Sequence, residues 1–80
     1  MKNLDITVNC EGGKSYSVKT VNVPQHGECY RVRVLDGWGD LSDTWLFNGA
    51  LEWLETISAH RTVPVAWEAS IVLLHALENA

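Results

Sequence analysis

The chain has 80 residues and a formal net charge of −4, with 46% hydrophobic and 20% charged residues. That length allows one compact domain over residues 1–80 with a small core, and the composition is that of a folded chain, not a disordered one. The acidic balance excludes general nucleic-acid binding, because phosphates demand clustered Lys and Arg.

Met1 to Cys10 reads MKNLDITVNC. No apolar run follows Lys2, so no export signal is expected there. Leu4, Ile6, Val8 and Cys10 alternate with Asp5, Thr7 and Asn9, the period of a half-buried strand. A three-residue loop over residues 12–14 places Val8 opposite Val18, Ile6 opposite Thr20 and Cys10 opposite Tyr16, keeping the apolar faces together. In the second strand Tyr16 and Val18 have one parity, Val21 and Val23 the other, which predicts a β-bulge near Lys19 or Thr20. After the breaker PQHGE, a third strand turns Tyr30, Val32 and Val34 inward and Arg31 and Arg33 outward.

The stretch LDGWGDLSDTW, residues 35–45, holds three Asp, two Trp and two Gly and no base. Its plainest reading is a turn followed by a helix cap at Ser42 or Asp43. The helix is expected to run to about residue 59, with Leu46, Ala50, Trp53, Leu54 and Ile57 as its apolar stripe and Trp45 projecting among Asn48, Glu52 and Thr56. Thr62 and Pro64 suit the start of a second helix, apolar over most of its circumference. The expected fold is therefore α+β, a three-stranded antiparallel β-meander followed by two α-helices packed on one sheet face (β-β-β-α-α).

No pattern of cofactor or metal ligation emerges, so none is expected. Twelve positions on from Asp36 or Asp40 there is no Glu to complete a calcium loop. His26 and Cys29 form half a zinc site without its other half, and the same pair could serve as a thiol nucleophile and its base only if something oriented them. The longest uninterrupted apolar run, IVLL, is far too short to cross a bilayer. The expected compartment is the cytoplasm, with Cys10 and Cys29 as free thiols.

Charge is distributed unevenly: residues 1–33 sum to +2, residues 34–60 to −5 and residues 61–80 to −1. Trp53 and Trp67 are expected in the core, while Trp38 and Trp45 are candidates for the surface. The leading expectation is a small acidic, non-enzymatic protein-binding module whose contact patch is Asp36, Trp38, Asp40, Trp45, Asn48, Glu52 and Glu55. Its partner would be a protein with a basic surface, such as one that handles nucleic acid. Inhibitors and adaptors from phages and mobile elements are often of this size and composition. A homodimer built on the second helix or on an open sheet face is the alternative, and a thiol enzyme using Cys29 and His26 is a third.

Overall fold

The computed structural model describes residues 1–10, 15–35, 43–57 and 66–80. Among these residues five strands precede one helix: β1 (Asp5–Asn9), β2 (Ser15–Val23), β3 (Gly27–Leu35), β4 (Thr44–Phe47), β5 (Trp53–Ile57) and α1 (Ala66–Glu78). The strands form one sheet in the order β1-β2-β3-β4-β5, and every neighbouring pair is antiparallel. The expected architecture of three strands and two helices is thus corrected to a five-stranded sheet with a single C-terminal helix.

β1 to β3 follow from the alternating pattern, with two corrections. Ile6 lies opposite Val18 and Val8 opposite Tyr16, two residues away from the expected register. The parity survives, so the same side chains face inward, but the connection between Asn9 and Ser15 is longer than three residues. Ser15 Oγ donates to Asn9 Oδ1 at 2.8 Å where the strands part. No bulge interrupts β2, which pairs with β3 without a shift from Ser15 opposite Leu35 to Val23 opposite Gly27. The change of parity at Val21 is instead absorbed by the far side of the sheet. There Val21 is paired with the fully buried Cys29, and Leu46 on β4 is also buried. Between β2 and β3, His26 N donates to Val23 O, and Gly27 adopts φ 73°, a left-handed conformation that glycine enters without steric penalty.

The segment expected to be the first helix is a hairpin. Asn48 organises its turn: Oδ1 accepts from Ala50 N at 3.0 Å and Glu52 N at 2.9 Å, while Asn48 N donates to Glu52 O at 3.0 Å. Leu51 N also donates to Asn48 O at 3.0 Å, and the left-handed residue of the turn is Leu51 at φ 66°, so the Asn48 side chain closes the hairpin and outweighs an apolar spacing that also fits a helix. Leu46 lies opposite Glu55 but Phe47 opposite Trp53, so Leu54 is an extra residue that bulges β5. The bulge turns Trp53 to the side of Thr56, and Trp53 Nε1 donates to Thr56 Oγ1 at 2.8 Å.

α1 lies across the sheet face made by Tyr16, Val18, Tyr30, Val32, Trp45 and Phe47, and packs Ala69, Val72, Leu73 and Ala76 against it. The start expected at Thr62 lies outside the described residues. The N-terminal residues strap the far end of this layer. Thr20 Oγ1 accepts from Leu4 N at 2.9 Å and donates to Lys2 O at 2.6 Å, and Lys2 N donates to the Tyr30 hydroxyl at 3.0 Å. No helix among the described residues is long and apolar enough to cross a membrane.

Candidate functional site

Asp36, Trp38 and Asp40 of the expected acidic patch lie outside the described residues. Trp45, its intended centre, is not on the surface: the residue is 1% exposed and belongs to the core. Strand periodicity sends Trp45 and Phe47 to the helix-covered face, with Val32 opposite Trp45 on β3 and Thr56 opposite it on β5. Its Nε1 is buried there without a hydrogen-bond partner. Asn48 and Glu52 meet in the β4–β5 turn, where Asn48 Nδ2 donates to Glu52 Oε1 at 3.1 Å. Glu55 sits further along β5, 3.1 Å from His26 Nε2.

Among the described residues, the two exposed indoles are the two expected in the core. Trp53 is 57% exposed and Trp67 is 60% exposed. Neither can be read correctly from a helical wheel drawn over a segment that is a strand, or over a helix assumed to be covered all round.

His26 and Cys29 do not make a thiol site. Cys29 is fully buried, its thiol pKa is pushed up by that burial, and the His26 ring is engaged with Glu55. A reactive thiol needs access and a depressed pKa, and Cys29 has neither. Among the described residues no three His, Cys, Asp or Glu side chains are grouped to hold a metal ion. On the sheet face away from α1, Lys19 and Arg31 are direct cross-strand neighbours, as are Arg33 and Thr44, with Arg33 Nε 3.4 Å from Thr44 Oγ1. Burial, then the charge of Arg33, lowers the Arg31 pKa, partly opposed by Asp5.

Among the described residues, three large apolar side chains of α1 are exposed together. At 100° per residue, Trp67, Ile71 and Leu74 fall within a roughly 60° arc, about half a turn away from Ala69, Val72, Leu73 and Ala76. The three outward side chains are 60%, 56% and 44% exposed. Beside the stripe run two adjoining hollows of about 320 and 240 Å³ that share Cys10, Ile71 and Val72. Tyr16, Trp67 and Glu68 line the first, and Val8, Asn9 and His75 the second. Burial, followed by the negative charges of Glu68 and Cys10, pushes the Tyr16 pKa up. The sequence offered this helix as a possible pairing surface, but it placed Trp67 in the core, because an all-round apolar helix does not show which of its faces is covered. One helix lying on one sheet covers a single face, so the remaining apolar residues must be open. No protein-family model, curated protein or solved structure matches this chain.

Proposed function

We propose that the protein is a non-enzymatic protein-binding module whose contact surface is the outward face of α1. The observation that carries this reading is the run of Trp67, Ile71 and Leu74, all more than two-fifths exposed and adjacent on one helix. Contiguous exposed apolar side chains in a small domain mark a surface that is covered in the working state, and Trp is prominent among residues that dominate interface energetics. The shallow hollows beside the stripe offer the concave wall against which a partner side chain packs. Capture from the native host with a tagged chain tests it. Wild type should retain a protein, whether another chain or its own untagged copy, that a Trp67→Asp variant loses. Identical sets for the two baits would overturn the reading.

A second reading is favoured by Trp53. Its exposed indole stands next to Glu52 in the β4–β5 turn and two residues from Glu55, on the edge strand β5. Trp53 with Glu52 would offer a partner rich in Arg a small acidic and aromatic contact, whereas Glu55, although near in sequence, lies opposite Leu46 and against His26 on the other side of the sheet and takes no part in it. Trp53→Ala with Glu52→Lys would weaken capture of such a partner while leaving the Trp67-dependent set untouched.

A further inference from the structure

We infer that the occupant of the outward α1 face is a second copy of this chain, in an antiparallel α1–α1 pairing about a two-fold axis near Ile71. The inference rests on the reading of that face as an interface and names what covers it. The stripe is arranged end to end as Trp67, Ile71 and Leu74, with spacings of four and three residues. Reversing a second copy over it sets Ile71 against Ile71 and each Trp67 over the partner's Leu74, so large rings meet a branched aliphatic side chain at both ends.

The polar flank repeats that symmetry. Glu68 and His75 are seven residues apart and lie on the same side of the stripe, next to the two hollows. A two-fold axis perpendicular to the helix keeps this side on the same side in both copies. It brings each Glu68, displaced by about 5 Å from the axis along a helix rising ~1.5 Å per residue, level with the partner's His75. The surface thus carries the acceptor and the donor of its own contact, the requirement for an isologous interface. An unrelated basic partner would find Glu68 and Glu78 here but also His75, the helix's basic residue, in its way. Residues 66–80, the described part of the chain after β5, contain no Lys or Arg to oppose the pairing.

Light scattering coupled to size exclusion, with sedimentation equilibrium from about 1 to 100 µM, tests this on the intact chain. The expected mass for wild type is twice 8.9 kDa. Ile71→Asp and, as a second variant, Trp67→Asp should give monomers with unchanged far-ultraviolet circular dichroism, because both side chains point away from the core. Glu68→Lys and His75→Glu should each raise the dimer dissociation constant about three- to ten-fold, as expected when both symmetry-related, partly solvated Glu68–His75 contacts are lost. The double variant Glu68→Lys/His75→Glu should recover most of that loss. A wild type that is monomeric at 100 µM overturns the inference, as does a dimer indifferent to both stripe variants. Single charge variants that the double variant does not rescue overturn the antiparallel arrangement. If wild type is monomeric but capture still depends on Trp67, the self-pairing is wrong and the binding module stands; if capture is also indifferent, both fall.

Discussion

The two faces of α1 invert the usual placement of large and small side chains. Its inward face is sealed but half alanine, with Ala69 and Ala76 flanking Val72 and Leu73, whereas its outward face carries Trp67, Ile71 and Leu74 in the open. The bulk of the inner layer comes from the sheet, where Tyr16, Tyr30, Trp45 and Phe47 stand up toward the helix. Small residues on the helix leave room for those rings beneath its backbone. The large outward residues are then not surplus core. They have no sheet to pack against, and the difference separates two kinds of apolar residue on one element: those that hold the fold and those free to hold something else.

Truncating the inner layer should have the largest effect. Trp45→Ala removes the largest fully buried side chain and should lower unfolding free energy by about 3 to 5 kcal/mol, which for a domain this small leaves little or no folded population. Leu73→Ala, on the helix side of the same layer, should lower it by about 2 to 5 kcal/mol. Urea denaturation followed by circular dichroism measures both. If either variant unfolds at the wild-type urea midpoint, the assignment of the inner face is wrong.

The β4–β5 turn gives a control away from the helix. Asn48→Ala removes one side-chain acceptor that serves the amides of Ala50 and Glu52. Those amides can turn to water, so the loss should be only about 1 kcal/mol, well below that of Leu73→Ala. An equal loss would mean that the hairpin, and not the helix–sheet layer, dominates stability.

How much of this could be read from residues alone depended on whether one signal stood uncontested. The alternation of Leu4, Ile6 and Val8, and of Tyr30, Val32 and Val34, has a period of two and no competing fit, and it marks β1 and β3 correctly. Residues 44–57 had two fits. The apolar spacing matched a helix, while Asn48–Gly49 and the run Thr44 to Phe47, buried on both faces, matched a hairpin with an inner strand. The inner strand leaves no alternation to detect, and the bulge at Leu54 shifts its partner's parity by one. That single misjudged segment carried the misplacement of Trp45, and with it the centre of the expected acidic patch. The last helix was legible as an element and as a possible pairing surface, but not as to which residues form that surface, because its wheel contains two apolar faces and only the packing of layers says which one is covered.

The far side of the sheet offers a pH-dependent comparison. Burial raises the pKa of Cys29 above its ordinary value of 9.0, so the folded protein keeps the thiol proton at pH values where the unfolded chain releases it. The stability that goes with this proton is fully present below the unfolded value and falls as pH rises past it, with a limiting slope of about 1.4 kcal/mol per pH unit for one proton. Tyr16 shifts in the same direction and adds to the fall above its ordinary value of 10.0. The difference in urea midpoint between pH 8 and pH 10 should therefore be smaller for Cys29→Ala than for wild type. Equal differences would show that the thiol is as accessible folded as unfolded.

The smallest expected change in stability is the most informative about α1. In the Ile71→Asp background, where self-pairing is removed, Trp67→Ala should alter unfolding free energy by no more than about 0.5 kcal/mol, the range of an exposed substitution away from packing or caps. Leu73→Ala in the same background should keep its full effect, since it lies on the other face and shares no partner with Trp67. Trp45 and Trp67 would then differ by several kcal/mol although both are tryptophans: Trp45 is sealed between sheet and helix, and Trp67 is 60% exposed on the outward face of α1. A loss at Trp67 comparable to that at Leu73 would mean that the ring packs on this domain in solution, and the outward face would no longer be open to a second copy or to any other chain.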